Sequence, residues 1–364
     1  MMVLPLLLTV LPAWTQDPAR LIEGIEPVEG ASAAVVLHQA QAAAFGEAAK
    51  HVAPSVVRIE TVGGTQPVEP GGQPDKPRFI VAEGPTTGLV YSADGLILAS
   101  TFNFVREPVS ITVILADDRR FVAELLARDE VRRLAMLKID AADLPVPAWV
   151  ESPAEIRVGQ WALALGRGFA GPDCSLGVGI VSGLNRMSGL AIQTDARLSP
   201  ANFGGPLIDI RGRVLGLCVP LGLDDAPIAG VEWYDSGIGF AVPYVQVSRS
   251  ATDLAVGHTL RRGMFGLELD AQPGRPPRII GLRDPSPAKR ADLRPGDEII
   301  AAADQPVASF ADLRRILRGH TAGQWVPLRL RREGAEMTRE VILAVPEDIG
   351  PPAATAPAED PSTR

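Results

Sequence analysis

The chain has 364 residues, of which 46% are hydrophobic and 21% charged, and its formal net charge is -8. This length allows two or three domains, and the composition is typical of a globular rather than a disordered chain. The negative charge argues against a nucleic-acid-binding protein, because phosphate contacts need clustered lysine and arginine. Abundant glycine (36 residues) and proline (33 residues) favour short strands joined by turns.

Residues 1–16 form an apolar run that ends near small residues, as in a secretory signal. The run has no basic amino-terminal region, so an N-terminal membrane anchor is the alternative, although Pro5 and Pro12 weaken a spanning helix. We therefore expect an exported protein of the periplasm or cell envelope, either free or tethered to the membrane. Residues 31–52 are alanine-rich and predict a helical segment.

Residues 53–250 contain two sets of short apolar runs separated by turn residues. The first set predicts strands at Ser55–Thr61, Thr87–Tyr91, Ile97–Ser100, Val109–Leu115, Phe121–Ala127 and Met136–Ile139. The second set predicts strands at Trp161–Leu165, Gly179–Ser182, Leu190–Thr194, Pro206–Ile210, Val214–Val219 and Gly239–Val242. Strands of this length and spacing predict either a pair of antiparallel barrels or a sandwich.

The most specific stretch of the chain is Thr194–Leu207, TDARLSPANFGGPL. It resembles the nucleophile loop of the HtrA/Deg family of trypsin-like serine proteases, where Thr-Asp-Ala and a short spacer precede Gly-Asn-Ser-Gly-Gly-Pro. In that loop, glycines permit a tight turn that exposes the serine and points backbone N–H groups at the oxyanion. Asn202 and Gly204 to Pro206 match the family pattern, but Phe203 stands at the nucleophile position and Ala201 replaces a glycine.

Two further segments are similar to those that carry the family's base and acid. Ser100–Val105 (STFNFV) is similar to Thr-Asn-His-Val, and this resemblance puts Phe104 at the base position. Arg133–Ile139 (RLAMLKI) is similar to Asp-Leu-Ala-Val-Leu-Lys-Ile, which puts Arg133 at the acid position. The resemblance covers about residues 40–345, and it implies a mainly β fold: two six-stranded antiparallel β-barrels of the trypsin type, followed by an α+β PDZ domain.

The three replacements remove the chemistry of a serine protease. Serine attack requires a hydroxyl, a base within hydrogen-bond reach, and an acid that orients the base. Phe104 and Phe203 supply none of these groups, Arg133 inverts the charge of the acid, and no histidine lies between Val52 and Gly257. Loss of the nucleophile alone costs a factor of about 10⁶ in turnover. We therefore predict a domain without catalytic residues.

The same replacements predict a site that is filled rather than open. In the family fold the three positions meet in the cleft between the barrels. There we expect the rings of Phe104 and Phe203 to stack, with the Arg133 guanidinium against a ring face. Such contacts are worth about 0.5–2 kcal/mol.

Residues 259–346 resemble a PDZ domain. Pro285–Ile300 is similar to a bacterial PDZ segment, and Arg262–Leu269 (RGMFGLEL) to the carboxylate-binding loop. PDZ domains bind a peptide C-terminus as an added strand, with backbone N–H groups holding its carboxylate. The alternative is a closed groove that only packs against the barrels. The resemblance implies peptide-binding roles for Met264, Phe265, Gly266, Leu267, Leu269, Leu313 and Leu317.

The remaining features favour neither a metal site nor a cofactor site. Cys174 and Cys218 are either buried free thiols or a disulfide, and with four scattered histidines they provide no metal-ligand pattern. We expect no metal and no cofactor. Residues 347–364 are rich in proline, alanine and acidic residues and predict a disordered tail.

Together these residues predict an exported, inactive HtrA-like protease homologue that binds peptides through its PDZ domain, in a chaperone-like or regulatory role. The expected partners are protein C-termini or unfolded segments, an active HtrA-type protease, and, by family analogy, two further copies in a homotrimer. Nucleic acid is not an expected partner. The alternatives are an active serine endopeptidase of envelope protein quality control and a structural envelope protein with an unused groove.

Overall fold

A computed structural model describes residues 33–63, 85–104, 107–169, 171, 173–221, 236–270 and 272–351. The apolar run at residues 1–16 lies outside these residues, as does most of the predicted tail. Over the described ranges, no helix combines the length and the apolar character needed to cross a membrane.

Helix α1 (Ala33–Val52) coincides with the predicted helical segment. Its Ala48 and Val52 are buried and join a core cluster with strand residues of both barrels. The Phe45 ring meets the Trp161 ring edge-on, with 5.2 Å between their centroids. The helix is thus packed onto the second barrel by apolar contacts on one face.

Twelve strands of the described chain form two closed antiparallel barrels of six strands each, which confirms the predicted fold class. The first barrel contains β1 (Val56–Gly63), β2 (Thr86–Val90), β3 (Leu96–Ser100), β4 (Pro108–Ile114), β5 (Arg120–Asp129) and β6 (Leu134–Ile139). The second contains β7 (Trp161–Gly166), β8 (Ser175–Asn185), β9 (Ala191–Thr194), β10 (Pro206–Ile208), β11 (Val214–Cys218) and β12 (Gly239–Pro243). The sandwich alternative is excluded, because each set of strands closes on itself.

Thr87 on β2 joins the first barrel to the second. Its fully buried hydroxyl donates a hydrogen bond to the Ala201 carbonyl and accepts one from the Arg167 N–H, both at 2.7 Å. The Thr87 N–H donates to the Phe203 carbonyl at 3.2 Å. These bonds attach the nucleophile segment to the opposite barrel.

Helix α3 (Tyr244–Ala255) follows the second barrel and packs on β5 and β6 of the first. No helix was predicted here, and the predicted domain boundary at residue 250 falls inside α3. The helical spacing of the buried residues Val247, Ala251 and Leu254 is a signal that identifies it. Between β8 and β9 lies α2 (Arg186–Gly189), a single turn in which Met187 and Ser188 have positive φ.

A buried ion pair fixes α3 to the first barrel. The Asp129 carboxylate is fully buried and accepts hydrogen bonds from Arg132 Nη1 at 2.9 Å and from the Ser250 hydroxyl at 2.6 Å. Arg132 Nε donates to Gln246 Oε1 at 3.2 Å, and Gln246 Nε2 donates to the Gly189 carbonyl at 2.9 Å. The network therefore connects β5, α3 and α2.

The C-terminal domain is a six-stranded sheet, within the described residues, with two short helices. Its strands are β13 (Leu267–Asp270), β14 (Arg278–Leu282), β15 (Glu298–Ala302), β16 (Gln305–Pro306), β17 (Trp325–Arg332) and β18 (Ala335–Ile342). The helices are α4 (Pro287–Arg290) and α5 (Phe310–Leu317). Strand β13 is an edge strand, paired only with β14 among the described strands.

The linker between the domains is paired with the first barrel rather than free. The Leu260 N–H donates to the Arg128 carbonyl at 2.8 Å, and the Glu130 N–H donates to the Leu260 carbonyl at 2.9 Å. Arg261 forms ion pairs with Glu130 and with Glu347. A second contact joins α5 to α2: Arg318 Nη1, at the end of α5, lies 3.4 Å from the sulfur of Met187.

The predicted boundary of the tail needs a correction. Residues Pro346–Asp348 form a 3-10 turn, and the Ile349 side chain is only 9% exposed. The Gly350 N–H donates to the Pro285 carbonyl at 2.8 Å. Residues 347–351 therefore belong to the folded domain, because one buried apolar side chain and a backbone hydrogen bond hold them against it.

The Asp129→Asn variant should lower the free energy of unfolding by about 3 kcal/mol, because the buried Arg132 guanidinium loses its counter-charge. Asp117→Asn is the matched control: its pair with Arg119 is exposed, so its loss should cost less than about 1 kcal/mol. Urea unfolding followed by tryptophan fluorescence measures both. Equal effects of the two variants would contradict a structural role for the buried pair.

Candidate functional site

The turn after β3 carries the aromatic residues of the base segment. It is a 3-10 turn over Thr101–Asn103, and the Ser100 hydroxyl accepts a hydrogen bond from the Phe102 N–H at 3.2 Å. The Thr101 N–H donates to the Arg133 carbonyl at 2.9 Å. The fold therefore holds the segments that resemble those of base and acid side by side.

Phe102 and Phe104 lie in different cores. The Phe104 side chain is 1% exposed and packs with Val57 and other residues inside the first barrel. The Phe102 side chain is buried in the core cluster of the second barrel, which also contains Phe203. This corrects the expected stack of Phe104 on Phe203. Residues two apart share a face in a strand, but here a turn follows β3 and sends the two rings in different directions.

Phe203 instead meets Phe102 at the boundary between the barrels. The ring centroids are 5.2 Å apart and the ring planes are inclined by 62°, an edge-to-face contact. Both rings are almost fully buried. Such a contact contributes about 0.5–1.5 kcal/mol beyond the burial of the rings. An aromatic pair thus fills the space beside the nucleophile segment, but with a different partner from the one predicted.

The backbone N–H groups of the nucleophile segment form hydrogen bonds within the chain. Pro200–Asn202 form a 3-10 turn, and the Phe203 N–H donates to the Pro200 carbonyl at 3.2 Å. The Gly204 N–H donates to the Cys218 carbonyl at 2.8 Å, and the Gly205 N–H to Asn202 at 2.9 Å. An oxyanion hole needs free N–H donors directed at one point. In this conformation those of residues 203–205 are already bound to carbonyl oxygens of the chain.

Arg133, which the sequence resemblance puts at the acid position, has a strained backbone, since its φ is 60°. Burial lowers the pKa of its guanidinium below the ordinary value, while the nearby carboxylates of Glu130 and Asp129 oppose this shift. Among the described aromatic rings, none lies under the Arg133 guanidinium, so the expected cation–π contact does not form there. The charge at this position is therefore positive and partly buried.

Neither cysteine has the properties of a nucleophile. Both are free thiols, which decides against the disulfide alternative. Burial raises the pKa of Cys218 to about 12, so its thiol remains protonated at neutral pH. Burial also raises the pKa of Cys174, and the neighbouring Arg167 only partly offsets this. A reactive cysteine has the opposite property, a lowered pKa.

A second candidate site lies at the start of β13, in residues 264–267, here called the carboxylate loop. The Phe265 carbonyl accepts a hydrogen bond from Ala288 N–H and the Gly266 carbonyl accepts one from Arg283 N–H, both at 3.0 Å. No carbonyl of the described chain accepts a hydrogen bond from the N–H of Phe265 or Gly266. Two adjacent N–H groups thus have no acceptor among the described residues, next to the edge strand β13.

The predicted pocket residues do not all line this edge. Leu267, Leu269 and Leu317 are half-buried and pack against the margin of the domain core. Leu313 is 2% exposed and belongs to the core itself, so its predicted role is corrected. On α5 the half-buried positions are 310, 312, 314 and 317, because the helix turns residues 313 and 316 inward.

Phe310 and Arg314 are therefore pocket candidates that the sequence analysis missed. The Arg314 guanidinium carbon lies 5.9 Å from the centroid of the Phe310 ring. The i, i+4, i+7 spacing with Leu317 is the signal that identifies them. Met264, also predicted, is half-buried, and its N–H donates to the Ala344 carbonyl at 2.9 Å. Its backbone therefore anchors the loop and offers no donor to a ligand.

The described residues contain no group of three or more histidine, cysteine, aspartate or glutamate side chains that is arranged to hold a metal ion.

Two family models match the chain: a trypsin-like peptidase domain over residues 86–217 and a PDZ domain over residues 263–343. "Probable periplasmic serine endoprotease DegP-like" of Pseudomonas fluorescens is 30% identical over 303 residues, 79% of this chain and 61% of that protein. "Putative serine protease HhoA" of Synechocystis sp. is 30% identical over 300 residues, 74% of this chain and 73% of that protein.

The solved structure "HtrA-type protease AlgW with decapeptide" superposes with a TM-score of 0.61 at 25% identity, over 85% of this chain and 99% of that one. The chain spans less than two thirds of the length of the DegP-like relatives named first among its matches. The two matched domains, the two closed barrels and these similarities show that the chain belongs to the HtrA family of trypsin-like serine proteases with a PDZ domain.

Proposed function

We propose that this HtrA-family chain does not cleave peptide bonds and acts by binding polypeptides through its PDZ domain. The observation that carries the proposal is the Phe102–Phe203 contact, 5.2 Å between ring centroids. We assign the nucleophile position to Phe203, the acid position to Arg133 and the base position to Phe102. The last assignment replaces Phe104, whose ring lies in the core of the first barrel.

Three features oppose acyl transfer in this site. Phenyl rings neither transfer protons nor attack a carbonyl. A guanidinium at Arg133 would repel an imidazolium rather than stabilise it. The Phe203 N–H is bonded to the Pro200 carbonyl, and one missing oxyanion donor costs a factor of about 10²–10³ in turnover. These three features support the proposal that the Phe102–Phe203 contact carries.

The competing function is an active serine endopeptidase of envelope protein quality control. The names of the relatives favour it, since they are called endoproteases or proteases. It requires another activated hydroxyl near the nucleophile segment, and Ser199 is the nearest serine in sequence. The Ser199 hydroxyl donates to Asn202 Oδ1 at 3.2 Å, and no histidine between Val52 and Gly257 is available to deprotonate it. We therefore favour the inactive form.

The available N–H groups of Phe265 and Gly266, together with the edge strand β13, support peptide binding by strand addition. Half-buried Leu267 and Leu317 suit an apolar C-terminal side chain. The expected ligands are protein C-termini or unfolded segments. A relative was solved with a decapeptide, which agrees with this class of ligand. The resulting role is chaperone-like or regulatory.

We further propose that the protein is exported to the periplasm, as the name of the Pseudomonas relative states for that protein. Assembly with copies of itself in a homotrimer, or with an active HtrA-type protease, is supported by exposed apolar side chains on the β7–β8 hairpin. These are Trp161, Phe169, Leu176 and Val178, which are 38–71% exposed. Clustered apolar surface of this kind is typical of contact sites.

Wild-type protein should neither hydrolyse casein nor react with a fluorophosphonate probe, because it holds no activated nucleophilic oxygen. Phe203→Ser alone should also remain unlabelled, since base and acid are still missing. The combination of Phe102→His, Arg133→Asp and Phe203→Ser should gain labelling, detected by in-gel fluorescence. The matched combination with Phe104→His in place of Phe102→His should not, because position 104 lies in a barrel core.

Covalent labelling of the wild-type protein would overturn the proposal in favour of the active endopeptidase. If only the triple combination that contains Phe104→His were labelled, the base position would have been assigned to the wrong phenylalanine.

Gly266→Ala should weaken peptide binding about tenfold or more, a loss of about 1.4 kcal/mol. Gly266 has φ +76°, and an added Cβ would lie 2.5 Å from the Ser286 Cβ, so the carboxylate loop must move. Gly274→Ala is the matched control, with φ +72° and nothing within 4 Å of an added Cβ. The measurement is binding to an array of random hexapeptides with apolar C-terminal residues, as free acids and as carboxamides.

Equal binding by both alanine variants would contradict the assignment of the carboxylate loop. Absence of any wild-type binder above background would favour the structural envelope protein, with its groove unused.

A further inference from the structure

Residues 344–350, here called the C-terminal brace, run along the carboxylate loop. At their start, Ala344 and Met264 exchange two backbone hydrogen bonds of 2.9 and 3.1 Å. At their end, the Gly350 N–H donates to the Pro285 carbonyl at 2.8 Å. Between these points the 3-10 turn Pro346–Asp348 directs Ile349 back toward the loop. The brace is therefore fixed at both ends, on elements that flank the site.

Ile349 packs directly on the loop glycine. A Cβ placed on Gly266 would lie 3.0 Å from Ile349 Cγ2 and 2.5 Å from the Ser286 Cβ. Gly266 is thus held between these two side chains, and its positive φ of 76° is available to glycine at little cost. Because the loop carbonyls are bonded to Arg283 and Ala288, the loop has little freedom to rotate its peptide planes.

The brace also reaches the protease-like domain. Arg261 pairs with Glu347 of the brace and with Glu130, which lies in the turn between β5 and β6. That turn leads directly to Arg133 at the acid position. The side chain of Arg261, a linker residue, therefore contacts both the brace and the first barrel. The side chains of Arg261, Glu130 and Glu347 are all partly exposed. Because solvent screens exposed ion pairs, these two contribute little free energy of their own.

We propose that Ile349 is a positioning residue of the peptide site: it presets the Phe265 and Gly266 N–H groups to receive a C-terminal carboxylate. This inference rests on the proposed peptide-binding function. A ligand that finds the donors already oriented does not lose free energy in ordering them. Removal of Ile349 should therefore weaken the recognition of the carboxylate more than the recognition of the ligand side chains.

The test uses a fluorescein-labelled pool of random hexapeptides ending in leucine, as free acid and as carboxamide, with anisotropy as the readout. Ile349→Ala should weaken binding of the free acid about tenfold and that of the amide by less than about threefold. Ile349→Val should bind nearly as the wild type. Ile280→Ala is the matched control, because it removes the same atoms from a 60% exposed isoleucine of the same domain.

Hydrogen exchange without ligand tests the brace independently of peptide binding. The amides of Met264, Arg283 and Ala288, which bond to the brace or the loop, should exchange faster in Ile349→Ala than in Ile280→Ala. Equal loss of acid and amide binding, or unchanged exchange, would overturn the positioning role. A wild-type protein that binds neither pool would overturn the peptide-binding function, and with it this inference, even if the exchange result agreed.

Discussion

The contact between Phe102 and Phe203 lies where the two barrels meet, and the neighbouring structure is built around it. Phe203 is held from the first barrel by Thr87, whose N–H bonds to the Phe203 carbonyl and whose hydroxyl bonds to Ala201. Phe102 is held by the turn after β3, which also bonds to Arg133. In an active protease a polar triad in this place is kept accessible to substrate. In the proposed inactive form, the buried rings of Phe102 and Phe203 take that place, and burial of such rings stabilises the fold.

Much of the fold follows from local patterns, while the site depends on one turn. Short apolar runs gave the approximate positions of the barrel strands, because side-chain alternation and turn residues are local signals. Phe104 was placed at the cleft because Ser100–Val105 resembles the family's Thr-Asn-His-Val segment. A 3-10 turn begins at Thr101 and moves Phe102 into the second core instead. Turn geometry of this kind depends on hydrogen bonds to distant residues such as Arg133, which a short sequence motif does not reveal.

In the C-terminal domain, too, sequence patterns locate the segments but do not determine which side chains are buried. The loop Met264 to Leu267 could be located by its resemblance to PDZ domains, but burial decides which leucines a ligand can reach. Leu313 is turned into the core by the phase of α5, whereas Leu317 is not. The role of residues 347–351 was hidden by their composition. A segment rich in proline and acidic residues still folds when one apolar side chain, Ile349, has a surface to cover.

The central claim is that Phe102 and Phe203 form a coupled pair that fills the space where the two barrels meet. A double-mutant cycle on the free energy of unfolding, with Phe102→Leu and Phe203→Leu, measures this coupling directly. The account predicts an interaction of about 0.5–1.5 kcal/mol between these two positions, and additivity for the same cycle on Phe104 and Phe203. Additive effects at Phe102 and Phe203, or coupling only between Phe104 and Phe203, would contradict it.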